Sequence, residues 1–370
     1  MSPSPPLDLS KLRVLPLSSR RSLSRVEDML IDPEGAAPVL ATEKANQSLA
    51  HCASRIRSAR KRNASVILIY GAHLLRNGAA RILDSLMRAG WITHLATNGA
   101  GSIHDWEYAW LGASTEGVEE NVSTGTFGTW DETSKYIHTA LLTGALDELG
   151  YGRSLGRFIC ENGTHIPDPE ELRAKIATEP DHSLCASRAD LLQALLKGHV
   201  SQGKLDIQHP WAHASIFASA WKHKIPLTVH PGVGYDIIAN HPIFSGSAIG
   251  RAAEHDFRLF GAAVENLDGG VVMSIGSAIM GPQVFEKSIS CVNNLRLSTG
   301  RNIVQDHSIH VIDLQDGGGW DWGKGEPPKS SPAYYLRFCK SFSRMGAPLD
   351  YIQADNAAFV HALWHSLKTP

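Results

Sequence analysis

Val66-Ile-Leu-Ile-Tyr-Gly-Ala-His-Leu-Leu-Arg-Asn-Gly78 decides the fold class. The apolar run from Val66 to Tyr70 has no polar face, which is the pattern of a parallel strand buried on both sides, and Gly71 ends it. Ile82, Leu83, Leu86 and Met87 then recur at helical spacing, predicting a helix over roughly 78–89. A second strand is expected over 92–96, followed by the turn Thr97-Asn-Gly-Ala-Gly101. Ser102 and Asp105 read as a capping pair that opens the next helix. Further strands are expected at 227–229, 271–275, 310–314 and 351–353. Amphipathic stretches separate them, near 132–149, 188–197, 211–222, 249–264, 282–295 and 333–344. Strands alternating with helices predict an α/β fold: a Rossmann-like parallel sheet with helices on both faces. In such a sheet, ligands bind where the carboxyl ends of the strands run into their loops.

The chain has 370 residues, 43% hydrophobic and 19% charged, enough for a sizeable core. A formal net charge of -2 gives no long-range attraction to nucleic acid or to an anionic membrane. No apolar run is long enough to span a bilayer. Arg20-Arg21 is followed by a polar stretch rather than the apolar segment of an export signal. Five scattered cysteines with no C-x-x-C pair point to a reducing cytoplasm. Residues 1–45, opening with Met1-Ser-Pro-Ser-Pro-Pro6, read as an N-terminal extension. Residues 46–370 read as one α/β domain, with a weakly periodic surface excursion near 151–185.

Several polar residues fall at the expected carboxyl edge. Asn98, Gly99 and Gly101 can bring backbone N–H groups close to a phosphate. Asp313 and Asp355 end late strands, where an acid can hold ribose hydroxyls. His230 ends a strand, a position suited to an acid, a base or a metal ligand. His104, His230, Asp236 and His241 together offer a mixed N/O metal set, although their spacing matches no recognised metal motif. His209 and His213 have the spacing of a helical metal pair, but Pro210 places His209 outside the helix.

Six segments, taken in order from about residue 60 onward, resemble the deoxyhypusine synthase family. Ile69-Tyr-Gly-Ala-His-Leu-Leu-Arg-Asn-Gly78 stands at its first NAD-contacting loop, and Ala96-Thr-Asn-Gly-Ala-Gly-Ser-Ile-His-Asp105 at its T-T-A-G-G-V-E-E-D loop. Asp206-Ile-Gln-His-Pro-Trp211, Pro231-Gly-Val-Gly-Tyr-Asp236, Met273-Ser-Ile-Gly-Ser-Ala278 and Ala354-Asp-Asn-Ala-Ala358 supply the others. The resemblance implies a homotetramer or dimer that binds NAD through Ala72, His73, Asn98, Gly99, Ala100, Asp313, Asp355 and Asn356. It also implies substrate contacts from Asp236, Asp105 and Gly318.

The family's chemical groups are largely replaced. Arg337 stands where the imine-forming lysine belongs, and arginine cannot be deprotonated for that role. Trp322-Gly-Lys324 offers a lysine, Lys324, but earlier in the chain. No histidine follows the glycine turn at Met280-Gly-Pro-Gln283, and Ile103 and His104 replace the paired glutamates. The sequence therefore leads to an NAD-dependent enzyme acting on a small amine or other polar substrate, with His104, His230 or Lys324 as catalytic groups. A metal-dependent hydrolase or lyase on the same scaffold, and a non-catalytic nucleotide-binding or assembly protein, are the alternatives.

Overall fold

In the computed structural model, which describes residues 5–368, the fold is built on a parallel sheet of six strands. These are β1 (Val66–Tyr70), β2 (His94–Asn98), β3 (Leu227–His230), β4 (Val271–Ile275), β5 (Ser308–Asp313) and β6 (Leu349–Gln353). Their spatial order is β6-β5-β4-β1-β2-β3. This is the 3-2-1-4-5-6 order of a doubly wound dinucleotide-binding sheet, so the Rossmann-like class expected from the sequence is what forms. β1 lies at the centre, pairing Tyr70 with Thr97 on one side and with Ile275 on the other.

Helices cover both faces. They are α1 (Glu43–Lys61), α2 (Ala80–Arg88), α3 (Gly99–Leu111), α4 (Tyr151–Cys160), α5 (Ile216–His223), α6 (Gly246–Glu265), α7 (Met280–Ser298) and α8 (Asn356–Lys368). Alternation along each strand sorts the core into two layers. Val66, Leu68 and Tyr70 pack with residues of α1, α2, α4 and α8, while Ile67 and Ile69 pack with Phe260, Val264 and Phe285 of α6 and α7. None of the five β1 side chains reaches solvent, as its uninterrupted apolar run requires. Among the described residues, no helix is long and apolar enough to cross a membrane.

Two local expectations are corrected. α3 begins at Gly99, not after Ser102, because Asn98 Oδ1 accepts Gly101 N–H at 2.9 Å and caps it. Ser102 lies inside the first turn, its hydroxyl donating to Gly99 O. Residues 151–160, read as part of a surface excursion, form the buried helix α4. Its glycines look like loop residues but allow close packing: a Cβ at Gly152 would collide with Leu227 O of β3, and one at Gly156 would crowd Phe217 O of α5. The protruding part comes later. It is a hairpin of Gly163–Ile166 and Gly203–Asp206 enclosing the helices Pro169–Thr178 and Cys185–Leu196, with a small core around Leu172 and Leu191.

The N-terminal segment is laid over the domain. Leu15 exchanges backbone hydrogen bonds with Thr129 and Asp131, and Ser24–Arg25 pairs antiparallel with Ala113–Ser114. Arg20 clamps it down. Its guanidinium makes a bidentate pair with Glu107 of α3 at 2.8 Å on each oxygen, with both side chains 1% exposed. Thr133 and Ser114 hydroxyls also donate to Glu107, so the buried carboxylate is well satisfied. Arg20→Ala should cost about 3–5 kcal/mol in urea unfolding, because it strands a buried negative charge. The double variant Arg20→Met/Glu107→Leu should lose less than Arg20→Met alone; equal or greater loss would show the pair is not the clamp.

Candidate functional site

The strand order reverses between β1 and β4, and the crevice beyond their carboxyl ends is where such sheets bind ligands. Two glycines form its floor. A Cβ on Gly71 would overlap Gly276 O, while Gly276, at φ +58, faces Asn356 Nδ2. Asn356 opens α8 and is buried, and its Oδ1 has no hydrogen-bond partner. Ser277 Oγ accepts Gly281 N–H at 3.1 Å at the start of α7. Ala72 and His73 follow Gly71, Ala72 half-buried and His73 exposed. Exposed apolar side chains rim this edge: Val233 and Tyr235 after β3, Ile279 after β4 and Leu314 after β5.

The turn expected to cradle a phosphate is already filled. Asn98 spends its side chain on Gly101 N–H, and the Asp236 carboxylate lies directly against Gly99, where a Cβ would overlap it. A second anion at the start of α3 would meet that carboxylate at close range. Asp236 Oδ2 accepts Gly232 N–H at 2.7 Å, and burial pushes the group up to about 6. No acid ends β2, the usual place for a ribose contact, because Asn98 occupies it.

His104 and His230 lie on opposite faces of the sheet. His104 belongs to α3, whose Ile103 and Trp106 join the α1 and α2 core, whereas the His230 ring stacks edge-on to Phe260 of α6. His104 Nδ1 is 2.7 Å from Ser114 Oγ, and Ser114 donates to Glu107 Oε2 at 2.5 Å. One hydroxyl proton given to Glu107 makes His104 Nδ1 the donor and leaves Nε2 as an acceptor. Burial holds His104 down to about 4, opposed by Glu107 and assisted by Arg76 and Arg20, so the ring is neutral at pH 7. His230 is likewise held to about 4 by burial; its Nε2 shares the Thr228 hydroxyl with His94.

Asp105 binds inside the molecule. Its carboxylate takes Ile216 N–H at 2.7 Å and the Ser215 hydroxyl, anchoring the start of α5. His241 has both nitrogens engaged, by Asp131 and by Ile243 N–H. His104, His230, Asp236 and His241 therefore form no metal set. The sole compact group of three possible donors among the described residues is His51, His310 and Asp350. Lys324 is an exposed loop residue, 3.7 Å from Asp321, and neighbouring Gly323 lies toward Leu349 at the amino end of β6. Gly318 sits in a tight turn at φ +71, its N–H bonded to Asp316 Oδ1 at 2.6 Å. Asp313 caps Gln315 N–H, and Asp355 caps Ala358 N–H in α8. Sequence reading missed Asp256, buried in α6 and bonded to Val229 N–H and Gly152 N–H, which closes the free edge of β3. It also missed Glu107 as the hub of the N-terminal clamp.

No family model matches the sequence, and no curated protein does. Matches among solved structures include AgrE with ornithine and NAD+ (13% identity, 90% of this chain, 34% of that chain, TM-score 0.43). They also include ArgZ, an arginine dihydrolase from the ornithine-ammonia cycle in cyanobacteria (12%, 88%, 32%, 0.41). A third is a conserved putative LOR/SDH protein from Methanococcus maripaludis S2 (12%, 92%, 73%, 0.42). The chain spans about a third of the AgrE and ArgZ chains. At these identities and TM-scores, the likeness carries no argument about ligands or activity. No family model, that of deoxyhypusine synthase included, matches the sequence, and the structures matched are of a different family, so that resemblance does not hold. Short Gly- and Asn-containing loops follow the strands of any doubly wound sheet, so six in order report topology rather than family.

Histidine burial sets the acid response. His94 is held down to about 3, and His104, His138, His209, His230 and His307 to about 4, each chiefly by burial. Depressed groups stabilise the fold above their unfolded pKa of about 6.5 and lose that contribution as pH falls toward 4. Asp105 and Asp256, pushed to about 7, and Asp236 act in the opposite sense, gaining as pH falls. The histidines outnumber them, so the urea midpoint should drop between pH 7 and pH 5, and His138→Phe should flatten the drop. A midpoint that rises on acidification would contradict this balance.

Proposed function

We propose that this chain is a nucleotide-binding enzyme of Rossmann type, with NAD as cofactor and a small polar substrate of the amine or amino-acid class. The observation that carries the reading is the reversal of strand order at Gly71 and Gly276, beside the unpartnered Oδ1 of Asn356. The residues there fit a dinucleotide: the floor is bare backbone, no carboxylate is among the residues that form it, and Asn356 and Ser277 offer polar atoms. The turn at 98–101 fits less well, because Asp236 occupies it. The exposed apolar loops after β3, β4 and β5 would cover a bound ligand.

Bound NAD+ would accept hydride from a carbon bearing an amine or hydroxyl. The chain's own part is binding and proton transfer. Asp236 titrates near 6, close enough to neutrality to take a proton at Oδ1, the oxygen Gly232 leaves free. His104, neutral with an acceptor Nε2, would take a hydrogen bond from the substrate. A second reading, assembly of two copies through the same edge, draws on those exposed apolar loops.

Calorimetric titration with NAD+, NADH and NADP+ tests the first reading. Saturable binding of one dinucleotide is expected, weakened about tenfold by Asn356→Ala, the value of one buried hydrogen bond. Asn98→Ala should cost about 1 kcal/mol of stability as a lost cap without changing affinity. Absence of binding by all three sinks the reading; a Kd that responds to Asn98 rather than Asn356 moves the phosphates to the α3 turn.

A further inference from the structure

We infer that His51, His310 and Asp350 form a binding site for a divalent transition-metal ion, of which Zn2+ is the type, away from the carboxyl-edge crevice. The site is built by pairing register. His310 and Asp350 are direct partners across the β5–β6 ladder, so both side chains leave the sheet on one face. α1 crosses that face. Lys44, Ser48, His51 and Arg55 recur along it at helical spacing, which turns all of them toward β5 and β6.

Asp350 Oδ2 stands between two imidazoles, 3.8 Å from His51 Nδ1 and 3.7 Å from His310 Nδ1. The three donor atoms all lie within 4.8 Å of one another. These separations are too long for hydrogen bonds. The two Asp350 separations approach the edge of a tetrahedron of donors around zinc, about 3.4 Å for bonds of about 2.1 Å. His310 carries the second observation. It is completely buried, and neither ring nitrogen has a hydrogen-bond partner, a costly state for an imidazole without a ligand. Ser48 donates to Asp350 Oδ1 at 3.0 Å, which fixes the carboxylate and leaves Oδ2 free, as an outer-shell partner does in metal sites.

Two imidazoles and one carboxylate are the protein ligands of an open zinc site, with the fourth position left to water or a ligand. That position is available here, because the three residues line a cavity of about 640 Å³. Lys44, Arg55 and Arg62 also line it, against Asp306, Asp321 and Asp350. Three cations balance three carboxylates, so the bound ion adds net positive charge, and an anionic fourth ligand would suit the site.

The test is titration of the metal-stripped full chain with Zn2+ followed by calorimetry, and with Co2+ followed by its visible absorption. One ion per chain is expected, with binding weakened at least about tenfold in both His51→Ala and Asp350→Asn. His51 is largely exposed, so its variant is expected to fold, which thermal unfolding in chelator verifies. His213→Ala, removing an exposed histidine elsewhere, should leave the isotherm unchanged. No stoichiometric uptake overturns the proposal. An isotherm the same in His51→Ala as in the parent also overturns it, because the ion would then sit on other histidines.

Discussion

Val66–Tyr70 hydrogen-bonds to His94–Asn98 on one side and to Val271–Ile275 on the other, and these two parallel ladders fix nearly everything else. With neighbours on both edges and helices on both faces, β1 has no route to solvent and can be made only of apolar residues. The chain must leave it at Gly71, because any side chain there would strike the backbone of the turn after β4. That close approach lies at the point where the two halves of the sheet wind apart. The crevice above it therefore follows from the packing of β1 rather than from any loop.

Further from β1 the sheet spends polar groups to close its margins. β3 is an edge strand, and Asp256 takes up Val229 N–H, which would otherwise invite a further strand. The same carboxylate holds Gly152 N–H, tying α4 to that edge. Arg20 and Glu107 do a similar service for the N-terminal segment, at the cost of burying two charges that need each other. These groups are buried and ionisable, and burial raises Asp256 strongly, yet they are structural: each is bonded to backbone or to a fixed partner. Perturbation alone does not mark a reacting group, and Asp105 and Asp256 illustrate this with shifts as large as that of Asp236.

The central strands were legible because burial on both faces leaves an unbroken apolar run. Residues 66–70 and 271–275 could be read to the residue. β6 was read two residues short because it opens with Leu349 and Asp350, and a carboxylate in a strand looks like a loop. α4 was unreadable because Gly152 and Gly156, there for close packing, carry the signature of flexibility. Of the candidate site, Asn356 was named through a resemblance that did not hold, whereas Asn98 and Asp236, expected as ligand contacts, meet at the start of α3. Sequence spacing cannot report that a carboxylate from one loop fills the helix terminus of another. His51, His310 and Asp350 were invisible for the same reason, since only the β5–β6 register and the crossing of α1 bring them together.

The two ends of the sheet consequently offer different chemistry. At the carboxyl edge the polar atoms include backbone groups, the Asn356 amide and the Asp236 carboxylate, which burial raises to about 6. On the α1 face of β5 and β6, the donors are an exposed imidazole, His51, and a buried one, His310, whose nitrogens have no hydrogen-bond partner, beside a fixed carboxylate. An imidazole that faces only a carboxylate beyond hydrogen-bond reach gains little from it, and the loss is recovered only if something occupies the space between them. A cation that binds both satisfies His310 and Asp350 at once. It would also tether α1 to the outer strands, so metal at this position and the stability of the β5–β6 edge would be linked quantities.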